Sequence, residues 1–157
     1  MSVAFRRDSD EEHLEPKFEL PLPPGPNLVT EAGLALIAAR VAELEAIVPE
    51  VSDEDERKRL KRDLRYWRSR LATAELAPLP SGERVEFGCR VEFCLNGMAR
   101  AIAIVGHDEA DPANARLAFT APLARAIMGA EVGDLVDFNG VDEAIEVTGI
   151  TSSTNSA

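Results

Sequence analysis

Two short runs of apolar residues, each spaced for one face of a helix, constrain the fold of this chain most strongly. The first comprises Leu34, Ile37, Val41, Leu44 and Val48, and the second comprises Leu60, Leu64, Trp67, Leu71 and Ala74. Alternating spacings of three and four residues are typical of a helix that packs against another helix. Because only a short connection separates the runs, the sequence predicts an antiparallel α-helical hairpin, a coiled coil, over residues 30–80.

Polar and proline residues mark the ends of both predicted helices. Thr30 is a favourable N-cap for the first helix, and Pro49 ends it. Ser52 begins the sequence Ser-Asp-Glu-Asp, which resembles a capping box and predicts the start of the second helix. Pro78 and Pro80 end that helix, so that the hairpin closes before residue 81.

After residue 80 the apolar period changes from that of a helix to that of a strand. Apolar residues alternate with charged ones from Val85 to Phe93, and Asn96-Gly97 predicts a hairpin turn into a strand ending at Val105. Further strands are expected at 116–119, 135–138 and 145–150, with a short helix at 122–128. The chain is therefore assigned to the α+β class, with an antiparallel sheet over one short helix at residues 81–157.

The first 29 residues show no helical or strand period. Charged residues are mixed there with closely spaced prolines, a composition that predicts a disordered or loosely docked acidic and proline-rich arm over residues 1–29. The last seven residues are expected to be frayed.

Charge excludes some classes of function. The net charge is −11, and residues 81–157 carry twelve acidic and five basic side chains. Such a chain is repelled by free nucleic acid and by anionic membranes, so independent DNA binding is not expected. The sequence has no apolar run of membrane-spanning length and no secretory signal pattern, which predicts a cytoplasmic protein.

Cysteine and histidine give no pattern for metal binding or catalysis. Cys89 and Cys94 are expected to be free thiols in a reducing compartment, and with His13 and His107 they make no convincing zinc site. His107 has no nucleophile beside it in the sequence, and we interpret it as a polar residue on the protein surface. No catalytic residue of its own and no stably bound metal are predicted.

Four segments of the second half match a known family in order and spacing. They are RVEFG at residues 84–88, VGHDEAD at 105–111, PLARAIMG at 122–129 and EVGDLV at 131–136. They resemble the RV-x-FG, VG-x-DEAD, SP-x-ARALLG and GD-x-V segments of the bacterial Gre transcript-cleavage factors. Upstream, LVTEAGL at 28–34 resembles the opening of that family's first helix. The resemblance implies that residues 81–157 form an FKBP-like domain.

The resemblance also implies a mechanism. In the family the globular domain docks at the rim of the RNA polymerase secondary channel, and the hairpin enters it. Acidic residues at the hairpin tip help to hold a Mg²⁺ ion shared with the polymerase, which then cleaves backtracked RNA. The chain would be an accessory factor, a monomer, that meets DNA only within the elongation complex. The tip candidates here are Asp53 and Glu54, followed by Asp55 and Glu56.

Two further surfaces carry candidate residues. A basic patch on the second helix is expected to contact the polymerase or the nascent RNA 3′ end, because its bases outnumber the acids of the first helix. Tyr66 and Trp67 could stack on a base, although Trp67 lies on the apolar seam. The patch comprises Arg57, Lys58, Arg59, Lys61, Arg62, Arg65 and Arg68, with Arg70 following, and the polymerase-docking candidates are Thr120, Pro122 and Arg125.

Departures from the family pattern leave alternatives open. The hairpin is shorter than that of cleavage-active family members and lacks their Asp-x-x-Glu-Asn-Ala-type tip, and Thr120-Ala121 replaces a polar pair ending in Ser. A regulator that occupies the channel without cleavage, or an antagonist of cleavage, is therefore the main alternative. A prolyl isomerase or chaperone, as among other FKBP-like domains, is less favoured, because residues 81–157 contain four phenylalanines and no Trp or Tyr.

Overall fold

The computed structural model describes residues 19–152, in which the chain divides into two compact units. Of the described residues, 19–25 and 37–73 belong to the first unit, and 26–36 and 74–152 belong to the second. The predicted arm at residues 1–18 and the chain end at 153–157 lie outside the described residues. No helix within residues 19–152 is long and apolar enough to cross a membrane.

The first unit contains one long helix and the part of the preceding helix from residue 37 onward, and the two share an apolar cluster. Helix α1 spans Glu31–Ile47, with 17 residues, and helix α2 spans Glu54–Thr73, with 20 residues. At 1.5 Å per residue they are about 26 Å and 30 Å long. The cluster is formed by Val41, Leu44, Val48 and Leu64, with Leu60, Trp67 and Leu71 packed against it. The cluster therefore joins three residues of the first predicted apolar run to four of the second.

Of the two predicted helix N-caps, the one for α1 is correct and the one for α2 is wrong. The Thr30 hydroxyl accepts a hydrogen bond from the Gly33 N–H at 3.0 Å, so Thr30 caps α1 as predicted. Helix α2 begins one residue later than expected. Asp53, and not Ser52, is its N-cap, because the Asp53 carboxylate accepts the Glu56 N–H at 2.9 Å.

The second unit contains a two-stranded parallel ribbon. Strand β1 (Leu28–Val29) pairs with strand β2 (Glu75–Leu76), and Val29 is fully buried. The prediction that residues up to 29 form a loosely held arm is therefore wrong at its last residues. The buried Val29 side chain and the main-chain bonds to residues 75–77 fix this segment in place.

The main sheet of the second unit has five strands in the order β5-β4-β3-β7-β6. Strands β3 and β4 form a hairpin, β7 pairs with β3 and β6, and β5 runs parallel to β4. The prediction of a wholly antiparallel sheet is wrong at that edge, because the loop after β4 carries the chain back before β5 begins. The bounds are β3 Arg90–Leu95, β4 Met98–Val105, β5 Arg116–Ala118, β6 Leu135–Phe138 and β7 Val141–Thr151.

Both predicted Asn-Gly hairpin turns are present. Asn96 and Gly97 have φ values of 51° and 85°, and Asn139 and Gly140 have values of 55° and 80°. Positive φ at both central residues defines the turn that matches the twist of a two-residue hairpin, and Asn and Gly adopt it at the least cost. These two turns fix the β3–β4 and β6–β7 pairings.

The core of the second unit lies between one face of the sheet and helix α3 (Pro122–Ile127). The expected strand from Val85 is wrong in its first half, since the strand begins at Arg90. Gly88 has a φ of 92° and the Cys89 N–H bonds to the Glu86 carbonyl, so a turn precedes the strand. The fully buried side chains of this core include Val85, Cys89, Val91, Phe93, Ile104, Ala124, Ile127, Ile145 and Val147.

Candidate functional site

The connection between α1 and α2 is a short turn held by several hydrogen bonds. A 3₁₀ turn at Val48–Glu50 is followed by extended Val51. The Arg57 side chain reaches back to the Val51 carbonyl, with Nε and Nη2 at 3.0 and 2.5 Å. Asp53 caps α2 from the other side of the turn. The turn is therefore held by Arg57 and Asp53. From the sequence, Arg57 is predicted to contact RNA or polymerase and Asp53 to assist Mg²⁺ binding.

The acidic side chains of this turn differ in how many of their carboxylate oxygens are already engaged by other groups of the protein. Asp53 uses one carboxylate oxygen as a cap, and Glu56 lies 3.7 Å from Arg59. Glu54 and Asp55 are exposed, and within residues 19–152 neither has an ion-pair partner. No group of three or more His, Cys, Asp or Glu side chains in that range is close enough to hold a metal ion. Carboxylates that bind Mg²⁺ here would need further ligands from a partner.

Several of the predicted basic residues are engaged within the first unit. Arg65 binds Glu19 through two hydrogen bonds at 2.9 and 2.6 Å, and Arg68 binds Glu45 at 2.8 Å. Arg70, only 3% exposed, is buried. The arginines at these positions thus stabilise the unit in addition to any role toward a partner.

A narrower basic face remains on α2. Lys58, Lys61, Arg62 and Arg65 lie at positions i, i+3, i+4 and i+7, which fall on one side of a helix. Both lysines are exposed, and within residues 19–152 neither has an ion-pair partner. The Arg62 Nε atom is buried with no hydrogen-bond partner among the described residues. These four residues are called the basic face below.

The aromatic pair on α2 belongs to the packing of the helices. Trp67 packs against the apolar cluster, the Arg40 guanidinium lies 5.8 Å from its ring centroid, and Tyr66 meets it edge to face at 5.2 Å. These contacts occupy much of the indole surface. They favour the structural interpretation of Trp67 over stacking on a nucleic-acid base.

One of the predicted docking residues, Thr120, contacts a histidine to which no role was assigned from the sequence. The Thr120 hydroxyl lies 3.2 Å from His107 Nε2, and Phe119 packs edge to face on both His107 and Phe87. Pro122 occupies the first turn of α3, and Arg125 is exposed on the same short helix. The structure therefore brings Thr120, Pro122 and Arg125 onto one surface with His107.

The structure also shows a polar centre that sequence reasoning missed. Glu109 is 5% exposed, and its Oε2 atom accepts the N–H groups of Thr30 at 3.2 Å and Gly106 at 3.1 Å. Its Oε1 atom accepts the Thr30 hydroxyl at 2.5 Å and lies 3.5 Å from Arg116 Nη2. A carboxylate here complements the positive N-terminus of α1. All of these residues belong to the second unit.

Two glycines make room for this centre. A Cβ atom on Gly33 would lie 2.2 Å from the Glu109 carboxyl carbon, and one on Gly106 would lie 2.4 Å from the Leu28 carbonyl oxygen. Side chains at either position would push the segments apart. The only sequence signal was the presence of Gly and Glu in the two segments that resemble the Gre pattern, VGHDEAD and LVTEAGL.

Comparison with known proteins finds curated relatives that are similar over about half of the chain. The chain is 36% identical over 77 residues to transcription elongation factor GreA of Desulfovibrio desulfuricans, which covers 46% of this chain and 48% of the relative. It is 42% identical over 72 residues to GreA of Phenylobacterium zucineum, covering 43% and 46%. The chain thus spans about half the length of the curated relatives it matches.

Two solved structures are similar over more of the chain but only weakly. GreA factor homolog 1 of Thermus thermophilus covers 80% of this chain and 99% of its own at 20% identity, with a TM-score of 0.37. The elongation factor GreA/GreB of Nitrosomonas europaea covers 82% and 99% at 17% identity, with a TM-score of 0.39. TM-scores this low support no inference about shape or function.

The sheet domain with its short helix is similar to the C-terminal domain of a class of transcription elongation factors. A sequence model of the C-terminal domain of transcription elongation factor GreA/GreB matches residues 80–152. The match covers the region that holds the four ordered segments and confirms their resemblance to the family.

Proposed function

We propose that this chain is a Gre-type regulator of transcription elongation that binds RNA polymerase. The observation that carries the proposal is the GreA/GreB domain at residues 80–152 in a chain whose helices α1 and α2 are joined by an exposed acidic turn. In this proposal the helices act as a coiled-coil hairpin in the secondary channel, and the FKBP-like domain docks at its rim. The chain acts as a cytoplasmic monomer and as an accessory factor, with the polymerase supplying the active site.

The tip supports a role in RNA cleavage through Glu54 and Asp55. Both carboxylates are exposed at the start of α2, and hard oxygen ligands are what Mg²⁺ takes. One or two carboxylates from a partner commonly complete such a site, so the tip would add ligands to an ion held mainly by the polymerase. Asp53 would contribute through its second oxygen, because the first caps the helix.

The surface of α3 supports docking. Thr120, Pro122 and Arg125 are exposed on one short segment, and His107 adds a polar group beside Thr120. Arg125 offers a positive charge in a unit that is otherwise strongly acidic. An acidic or hydrogen-bonding patch on the polymerase would match it.

The docking step is tested by co-sedimentation of the chain with purified core polymerase at low salt. The wild-type chain and Arg100→Glu, a charge reversal at an exposed position on β4, are expected to bind. Arg125→Glu is expected to weaken binding at least tenfold. No binding by the wild-type chain would overturn the proposal.

The chemical step is tested on backtracked elongation complexes with Mg²⁺, by following RNA length. Cleavage is expected with the wild-type chain and with Glu50→Gln, which removes an exposed acid outside the cap. It is expected to fall at least tenfold with Glu54→Gln/Asp55→Asn, with polymerase binding unchanged. Equal cleavage by that double variant would exclude the tip role.

A second candidate is a channel-occupying regulator or cleavage antagonist. The observation that favours it is that one Asp53 carboxylate oxygen serves as an N-cap and the Val51 carbonyl oxygen accepts from Arg57, which leaves fewer oxygens at the turn for a metal. This candidate predicts that the chain binds polymerase, fails to cleave backtracked RNA, and blocks cleavage by a cleavage-active Gre factor in the same reaction.

A prolyl isomerase is not supported by the second unit. One cavity among the described residues of this unit, of about 370 Å³, is lined by residues from 30–32, 76–80, 87–88 and 152, with Phe87 as the one aromatic side chain in its lining. An assay of proline isomerisation on a short peptide tests this alternative, and no acceleration is expected.

A further inference from the structure

We propose that the acidic N-terminal segment of this chain, residues 8–19, binds the basic face of α2 and competes there with RNA phosphate. The proposal rests on the proposed function for its consequence, because the basic face is the surface expected to meet RNA. The interaction itself concerns only this chain and can be tested without polymerase.

The described end of the segment is already seated on α2. Both Glu19 carboxylate oxygens accept hydrogen bonds from Arg65, at 2.9 Å from Nε and 2.6 Å from Nη2. A guanidinium fork on a carboxylate is the geometry with which arginine also binds phosphate. Glu19 therefore occupies the same donors that a phosphate group would use.

The electrostatics of Glu19 agree with this position. The hydrogen bonds from Arg65 are the largest cause that lowers the pKa of the Glu19 carboxyl; desolvation opposes them, and the charges of Arg65 and Arg62 lower the pKa further by smaller amounts. The pair is about half exposed, with side-chain exposures of 53% and 45%, so salt will screen it. A pair of this kind is weak alone and gains from neighbouring charges.

Neighbouring charges are available on both sides. Upstream of Glu19 the chain carries Asp8, Asp10, Glu11, Glu12 and Glu15. On α2, Lys61 and Lys58 lie one and two turns before Arg65, without ion-pair partners in residues 19–152, and the Arg62 Nε atom has no hydrogen-bond partner there. The acidic segment and the basic face are therefore complementary in charge.

The chain is long enough to bring them together. Lys58 is about 10 Å from Arg65 along the helix, at 1.5 Å per residue. Glu15 is four residues from Glu19 and Asp8 is eleven, which allows spans of about 13 Å and 36 Å for extended chain. Carboxylates of the segment can therefore reach both lysines while Glu19 stays on Arg65.

Zero-length carbodiimide crosslinking tests the contact directly, because it joins carboxylates to lysine amines. The lysines of the chain are Lys17, Lys58 and Lys61, so two of the three lie on the basic face. Mass spectrometry of the full-length chain at low salt is expected to show Asp8–Glu15 joined to Lys58 or Lys61, and these links are expected to fall at 0.5 M NaCl. Links from the segment to Lys17 alone would overturn the proposal.

Competition is tested with a fluorescent ten-nucleotide single-stranded RNA at low salt. Glu19→Gln is expected to tighten RNA binding about two- to fivefold, the range of one exposed ion pair. Neutralising the five upstream acids as well is expected to tighten it further. Glu75→Gln removes one exposed charge elsewhere and controls for net charge. Equal affinities for the Glu19 and Glu75 variants would refute competition.

The experiments distinguish a failure of the proposed function from a failure of the contact between the acidic segment and the basic face. If the chain does not bind polymerase but the segment crosslinks to the basic face, the proposed function is wrong and this contact remains. If it binds polymerase and the crosslinks are absent, the segment has no such role. If both hold, Glu19→Gln is expected to act on backtracked complexes at about two- to fivefold lower concentration.

Discussion

Glu109 accepts hydrogen bonds from both the backbone N–H and the hydroxyl of Thr30, two residues separated by 79 positions in the chain. Thr30 is the N-cap of α1, and its hydroxyl also accepts the Gly33 N–H. The first turn of α1 is therefore fixed to the loop after β4 by one buried carboxylate. Because the N-terminal N–H groups of a helix lack partners within the helix, this carboxylate serves as an external cap.

Replacing Glu109 by Gln is expected to destabilise the second unit by about 1–3 kcal/mol. Thr30 N–H, Thr30 O–H and Gly106 N–H all donate to the two carboxylate oxygens, whereas a Gln side chain has one acceptor oxygen and an NH2 group that only donates. At least one buried donor would lose its acceptor. Urea unfolding measures the change. Asp142→Asn, at an exposed position on β7, is the control and is expected to change stability by less than about 0.5 kcal/mol.

Gly33→Ala is expected to destabilise the chain, although Ala normally favours a helix by up to about 1 kcal/mol over Gly. The new Cβ atom would lie 2.2 Å from the Glu109 carboxyl carbon, so the cap must move. Overpacking of this kind costs about 1–3 kcal/mol.

A double-mutant cycle isolates the cause. In a Glu109→Ala background the clashing atoms are absent, and Gly33→Ala is expected to be neutral or stabilising. A coupling free energy of at least about 1 kcal/mol between the two positions is therefore predicted. Additive effects would mean that the clash with Glu109 is not what excludes a side chain at position 33.

Local patterns in the sequence were sufficient for most elements of the fold. The two apolar runs predicted α1 and α2, and the Asn-Gly pairs predicted two hairpins, because each depends on neighbours within a few residues. The parallel pairing of β5 with β4 could not be predicted from local patterns, because the strand with which residues 116–118 pair is determined by tertiary contacts. The same holds for Val29, whose burial depends on residues 75–77.

In the candidate site, too, the sequence predicts features that depend on neighbouring residues but not those that depend on distant contacts. The acidic turn and the basic residues of α2 are visible in the sequence, but which of them are engaged depends on distant partners such as Glu19 and Glu45. The burial of Glu109 could not be predicted, because it lies in an acidic run that is typical of a solvent-exposed loop. Only the structure shows that one of these acids is buried against Thr30, whereas Asp111 beside it is exposed.

Asp53 is predicted to matter for stability through its cap and for function through its charge, and substitution can separate the two. Asp53→Ala is expected to cost about 1 kcal/mol, because the Glu56 N–H loses its acceptor. Asp53→Asn and Asp53→Ser keep a capping oxygen and are expected to stay within a few tenths of a kcal/mol of the wild type. Thermal unfolding monitored at 222 nm measures these differences. If Asn and Ser destabilise as much as Ala, the cap is not the source of the effect.

Cys89 is predicted to be an unreactive thiol whose ionisation opposes folding. Burial raises the pKa of Cys89 above its ordinary value of 9.0 and outweighs the hydrogen bond that the Glu86 N–H donates to its sulfur. With Ellman's reagent at pH 8 we expect Cys94, which is half-buried, to react well before Cys89. In Cys94→Ser the remaining thiol should react only as fast as the chain opens.

The pH dependence of stability follows from the direction of that shift. Near pH 7, well below the ordinary value of 9.0, the thiol is neutral in both states and Cys89 contributes almost no pH dependence. As the pH rises through the ordinary value of 9.0, the unfolded thiol loses its proton while the folded one keeps it, so the unfolded state is favoured. The free energy of unfolding should therefore fall more between pH 8 and pH 10 in the wild type than in Cys89→Ala. An equal fall in both proteins would show that Cys89 ionises as freely in the folded state as in the unfolded chain.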